Sequence, residues 1–161
     1  TVTIEGARLI YKNFSGKKDK FNAEGERNFG VILPTDLAVQ MEADSWNVKW
    51  MDPREEGDEA VAWIPVKVRY ENRPPRVVMV TSTTDTLLNE DTVGAMDIAD
   101  FTNVDVIIRA YDWEVNGKVG RSAYLQTMFA TLYEDELMLK YSARRIVNME
   151  AEPTSFVSDD D

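Results

Sequence analysis

The stretch Arg109–Gln126, "RAYDWEVNGKVGRSAYLQ", decides how this chain folds. Asn116 and Gly117 at its centre both tolerate the positive φ that a two-residue type I′ turn demands, so the segment reads as a β-hairpin. With that turn, Val115 faces Lys118, Asp112 faces Arg121, Arg109 faces Tyr124 and Ile108 faces Leu125. The opposed charges of Asp112 and Arg121 agree with this register, although an exposed pair adds less than about 1 kcal/mol. Side chains of a strand alternate between its two faces. Val104, Val106, Ile108, Ala110, Ala123, Leu125 and Thr127 therefore share one face, the expected core side.

The other face carries Arg109, Tyr111 and Trp113 from one strand and Ser122, Tyr124 and Gln126 from its partner. An ordinary solvated face would be plainly polar; this one is flat, aromatic and cationic. Packing it under another element would bury an arginine, which needs a compensating partner. Aromatic rings in water offer surfaces on which unpaired bases stack, worth about 1–3 kcal/mol per base, while arginine and lysine neutralise the adjoining phosphates. Arg109, Tyr111, Trp113 and Tyr124 are accordingly candidate contacts for single-stranded nucleic acid.

On the N-terminal side, "TVTIEGARLIYKNF" is rich in β-formers and predicts a first strand over about Val2 to Phe14. "SGKKDKFNAEGE" follows as a mobile loop, broken by Gly16, Asn22 and Gly25. "RNFGVIL" is a second strand stopped by Pro34, and "TDLAVQMEADS" is a short helix capped by Thr35 with Leu37, Ala38 and Met41 at helical spacing. "WNVKWM" reads as a short strand and "DPREEGDE" as an acidic loop. "AVAWIPVKVRY" and "PRVVMVTS" are two further strands, with Pro65 pointing to an edge or a bulge in the first. In that strand Trp63, Lys67 and Arg69 share one face and Ile64, Val66, Val68 and Tyr70 the other. "NEDTVGAMDIADF" predicts a helix of about ten residues, capped by Asn89, with Val93, Met96 and Ile98 on its buried stripe. "EDELMLKYSARR" is compatible with a last helix, and the apolar-poor end of the chain is expected to be a disordered acidic tail. This order predicts a mainly β protein of the OB-fold class: a five-stranded antiparallel Greek-key barrel with a helix between the third and fourth strands. A mixed sandwich is the alternative.

The composition narrows the chemistry. A chain of 161 residues with 43% hydrophobic content suits one domain with a substantial core. There is no cysteine and no histidine. Thiolate and Ser-His-Asp catalysis are thus excluded, together with Cys- and His-based metal sites. The acidic clusters "PREEGDE" and "NEDTVGAMD" lack the spacing of a calcium loop, and no phosphate-cradling glycine motif is present. No enzyme activity, cofactor or metal is expected. No apolar run approaches the length of a membrane span and no signal-peptide pattern opens the chain, so a cytoplasmic protein without a membrane partner is expected.

The net charge of −11 argues at first sight against a polyanion partner, but the charge is unevenly spread. Thr1 to Leu33 holds six basic and four acidic residues, whereas Ile146 to Asp161 holds five acids and no base. "YKNFSGKKDKFNAEGERNF" interleaves Lys12, Lys17, Lys18, Lys20 and Arg27 with Tyr11, Phe14, Phe21 and Phe29, at the place of the first barrel loop. OB-folds bind oligonucleotides with that loop and the adjoining strands. "VKVRYENRPPR" adds Lys67, Arg69, Arg73 and Arg76 around a tight turn, of which Lys67 and Arg69 enter the candidate set. The candidate DNA-binding set is therefore Tyr11, Lys12, Phe14, Lys17, Lys18, Lys20, Phe21, Arg27, Lys67, Arg69, Arg109, Tyr111, Trp113 and Tyr124.

Four segments, "ARLIYKNFSGKKDKFNAEGERNFGVIL", "WNVKWMDPREEGDEA", "EDTVGAMD" and "VIIRAYDWEVNGKVGRSAYLQTMFATL", together resemble the phage-encoded single-stranded-DNA-binding proteins with an OB-fold. The resemblance runs from about Ile4 to Tyr141. It implies a phage protein of the host cytoplasm that coats exposed DNA without sequence specificity during replication or recombination. It also implies an acidic tail that recruits replication or recombination proteins and competes with DNA. Here "PTSFVSDDD" is acidic but has Phe156 upstream of its last acids instead of a terminal hydrophobic residue. The expected organisation is a binding domain over 1–145 and a tail over 146–161, with homodimerisation left open. The alternative is a phage protein-interaction module or inhibitor whose acidic surface mimics DNA.

Overall fold

The computed structural model describes residues 1–53 and 56–141. The acidic tail expected over 146–161 lies outside the described residues. The described residues form nine strands: β1 (Val2–Ile4), β2 (Arg8–Asn13), β3 (Arg27–Leu33), β4 (Lys49–Met51), β5 (Val61–Val68), β6 (Arg76–Val80), β7 (Asp85–Leu88), β8 (Phe101–Val115) and β9 (Lys118–Leu132). Helix α1 (Thr35–Ala43) lies between β3 and β4, and α2 (Glu136–Lys140) follows β9. Among the described residues no helix is long and apolar enough to cross a membrane.

The mainly β architecture agrees with expectation; a five-stranded barrel is not what forms. Pairing follows the path β1-β8-β9-β5-β3-β2, while β4 joins β5, and β6 joins both β7 and β9. The single strand expected over Val2 to Phe14 is split at Gly6 (φ 62). Its first piece pairs with β8 and its second with β3. The ten-residue helix expected around Val93 is a five-residue 3-10 turn, Val93–Asp97. Asn89 does act at its start, accepting the N–H groups of Asp91 and Thr92 on its side-chain oxygen. Val93 and Met96 are fully buried, but Ile98, expected on the same stripe, is 90% exposed. The tighter winding of a 3-10 turn places residues three apart over one another, so the stripe predicted at α-helical spacing is lost.

Helix α1 forms where expected and buries Ala38 and Met41. Its cap is Pro34, not Thr35, and no side chain caps it. Proline cannot donate a hydrogen bond and Thr35 becomes the first helical residue, with Asp36 favourably placed in the first turn. Pro65 is not at a bulge, but it does lie at a locally open edge among the described residues. It pairs across from Gly30 on β3, and on its other side β4 ends at Trp63 while β9 begins at Val66. A residue without N–H sits in the interval where β5 has no second neighbour.

The hairpin forms in the expected register, with Asp112 opposite Arg121 and Arg109 opposite Tyr124. Asn116 (φ 52) and Gly117 (φ 80) occupy the left-handed region the turn requires. Val104, Val106, Ile108, Ala123 and Leu125 are buried, with Ala110 packed against them. Thr127 is the exception. The ladder shifts between Ile107 and Ile108, leaving Gln126 unpaired, so that Met128 and Ala130 enter the core in its place.

Candidate nucleic-acid interface

The outward face of the hairpin meets the outward face of β5, because Lys67 pairs alongside Tyr124 in a short parallel ladder. Strand alternation leaves Trp63 and Lys67 of β5 outside, with Arg69 just past its end, while Ile64, Val66 and Val68 fill the core. The Tyr124 ring collects three cations: Arg109 at 5.0 Å from its centroid, Arg69 at 5.6 Å and Lys67 at 5.9 Å. Tyr111 lies beside it, with ring centroids 5.5 Å apart. Among the described residues none of these three cations has a carboxylate within salt-bridge distance; the ion pairs are Arg27–Glu90 and Arg121–Asp112. Three like charges on one ring repel each other, and an anion laid across them would relieve that repulsion.

Tyr111 and Trp113 are 52% and 38% exposed. Trp113 pairs opposite Gly120, and a Cβ on that glycine would overlap the indole ring. The indole therefore lies flat across the neighbouring strand. On the core side of the hairpin, Arg121 Nε donates to Asp112 Oδ1 at 2.7 Å, which raises the guanidinium pKa further. The Arg121 backbone exchanges hydrogen bonds with Ser45 and Asn47, and its guanidinium stands over Trp46. The segment after α1 thus braces the hairpin from behind.

The other predicted residues divide into four groups. Lys17, Lys18, Lys20 and Phe21 are on the loop between β2 and β3, with Phe21 87% exposed. That loop is better fastened than its glycines and asparagines suggest. Gly25 N–H donates to Gly16 O, and the Asn13 side chain bonds Lys17 in both directions. Asp19 Oδ1 accepts the N–H groups of Phe21 and Asn22, and these two bonds hold its carboxyl below the usual value. No hydrogen bond, ion pair or ring contact among the described residues joins these loop cations to the hairpin.

Two predicted residues are structural. Phe14 is fully buried and stacks on Phe29 with centroids 4.9 Å apart, so it belongs to the core. Lys12 donates from Nζ to the carbonyls of Met96 and Ala99 and stands over Phe101, so its charge ties the 3-10 turn down. The alternation of aromatics with lysines in "YKNF" could not separate these roles, because the ladder shifts between Ile10 and Asn13 and breaks the period.

Arg27 is intermediate. Its guanidinium meets Glu90 at 3.4 Å and covers the Tyr70 ring at 5.9 Å. Burial pushes the Tyr70 phenol up; nearby Arg27 opposes this and Glu90 adds to it. Arg27, Lys67, Arg69 and Tyr70 line a cleft of about 350 Å³ together with Glu24, Glu26 and Glu71. Tyr11 and Trp63 meet edge to face at 5.1 Å on the outer surface of β2, β3 and β5. Trp63 is not among the predicted contacts, although the β5 alternation puts it beside Lys67 and Arg69.

The model of the phage ssDNA-binding domain family matches residues 1–158. Among solved structures, the single-stranded DNA-binding protein of bacteriophage Enc34 in complex with ssDNA is similar at TM-score 0.53 and 14% identity, covering 83% of this chain and 86% of that one. A C-terminally truncated form of the same Enc34 protein gives 0.52 at 13% identity, again over 83% and 86%. Identity at that level speaks for the fold. No curated protein matches.

Proposed function

This chain belongs to the phage ssDNA-binding domain family, and from that membership we propose that it coats exposed single strands without sequence specificity during phage DNA replication or recombination in the host cytoplasm. The carrying observation is the gathering of Lys67, Arg69 and Arg109 on the Tyr124 ring with no carboxylate partner among the described residues. Bases stack on Tyr111, Trp113 and Tyr124 while phosphates meet those cations, and Lys17, Lys18 and Lys20 attract the strand from the loop. Stacking and phosphate neutralisation are alike for every base, which fits binding without sequence preference. The similar Enc34 protein, solved in complex with ssDNA, supports the same reading. So does the order of strands. β1 and β2 flank Gly6 in the chain and stand at the two ends of the pairing path, with β5 and β9 parallel, which supports an OB-type arrangement.

Titration with labelled oligo-dT at low salt is expected to give saturable binding, quenching of tryptophan emission, and affinity that falls steeply with added salt. Absence of binding at low salt refutes the proposal. Binding of a host protein without DNA would instead favour an acidic mimic.

We place the binding domain in 1–145 and a partner-recruiting acidic segment in 146–161. Deletion of Ala151–Asp161 is expected to tighten oligo-dT binding, because a tethered acidic segment competes at high effective concentration. Unchanged affinity in the same titration would rule out that competition.

A further inference from the structure

Both outward tryptophans on the strands of this face rest on glycine. Trp113 lies over Gly120 on the neighbouring strand of the hairpin, and Trp63 of β5 lies over Gly30 of β3, whose added Cβ would stand 2.8 Å from Trp63 Cε3 and from Ile10 Cγ1. In each case the missing Cβ lets an indole lie against the sheet, its position fixed before any ligand arrives. The second indole carries a further ring: Tyr11 packs on its edge and reaches Met51 Sδ with its hydroxyl at 3.6 Å. Tyr11 holds φ 51, a conformation that a bulky side chain adopts only when its surroundings impose it, and its ring is nonetheless 64% exposed. That φ falls at the ladder shift between Ile10 and Asn13, and the irregularity turns the Tyr11 ring outward beside Trp63.

Resting on the reading above, we infer that Tyr11 and Trp63 form a second base-stacking platform, separate from the hairpin platform and reached by the same DNA strand. Lys49 pairs opposite Trp63 and is exposed, without an ion pair among the described residues, so this platform has its own phosphate partner. Along β5, Trp63, Pro65 and Lys67 face outward, with Arg69 just past its end, and Lys67 lies four positions beyond Trp63, about 13 Å along the strand. Lys67 touches the hairpin platform through Tyr124. A strand crossing β5 would therefore engage both platforms within the roughly 4–16 nucleotides that one fold of this type accommodates.

The test is oligonucleotide length. Tyr11→Gly removes the ring and relieves its backbone, so the fold is kept; Trp63→Ala removes the indole. With oligo-dT of about twelve nucleotides, each variant should bind roughly five- to 150-fold more weakly than the parent protein. With about four nucleotides, which the hairpin platform alone can hold, the change should stay within about twofold, whereas Trp113→Ala should weaken both lengths. Thermal melting verifies that each variant is folded, and Tyr11→Gly keeps the inference testable if Trp63→Ala is not. Undiminished binding of the longer oligomer by Tyr11→Gly, or equal losses at both lengths, would overturn the second platform. Failure of the parent protein to bind either length would instead remove the DNA-binding reading itself.

Discussion

Tyr124→Ala is expected to lower affinity for oligo-dT by roughly five- to 150-fold while leaving the melting temperature within a few degrees of the parent. The ring lies on the outer face of β9, and the core positions on either side of it are Ala123 and Leu125, both of which stay in place. Its removal takes away a stacking surface and the common seat of Lys67, Arg69 and Arg109. Tyr124→Phe should retain most of the affinity, since stacking needs the ring and not the hydroxyl. Arg109→Ala should also weaken binding, and it should flatten the dependence of log K on log salt by about 0.7 for each phosphate it no longer neutralises. Fluorescence anisotropy at several salt concentrations measures all of this. An affinity within twofold of the parent for Tyr124→Ala would remove the hairpin face as the binding surface.

Phe14→Ala is expected to act in the opposite way, on stability alone. Its side chain has no exposed surface and stacks on Phe29 inside the core. Truncation leaves a cavity the size of a ring, and such changes remove about 3–5 kcal/mol, a large part of the total for a domain of this size. Denaturant unfolding should show the loss directly. The fraction that remains folded should bind oligo-dT like the parent, because Phe14 reaches no surface. A variant of full stability would contradict the core placement.

These two positions show how far the amino-acid order can be read. The hairpin is legible because its signals are local: Asn116-Gly117 sets the turn, and the turn sets which residue faces which along the two strands that leave it. Tyr124 and its cations follow from that count and from the alternation in β5. Phe14 escapes the reading because it lies past a ladder shift, where counting by twos fails. Thr127 escapes it for the same reason. The α-helix expected around Val93 has plausible acids and a cap, yet the segment is tied by tertiary contacts that no local pattern reveals. Asp97 accepts the N–H groups of Phe14 and Ser15, and Lys12 grips the carbonyls of Met96 and Ala99. Trp63 becomes legible once the β5 alternation is given the weight given to the hairpin.

The unpaired Gln126 makes β9 a strand of two phases. Ahead of it odd-numbered residues point inward, and beyond it even-numbered ones do. The change of phase falls where β9 passes from one parallel neighbour to another, β5 at Ala123 and Tyr124, β6 from Thr127 to Thr131. One continuous strand can thereby turn Tyr124 toward a ligand at one end and still seat Met128 and Ala130 against β6 at the other. A single surplus residue acts as the clutch between a working surface and a supporting one.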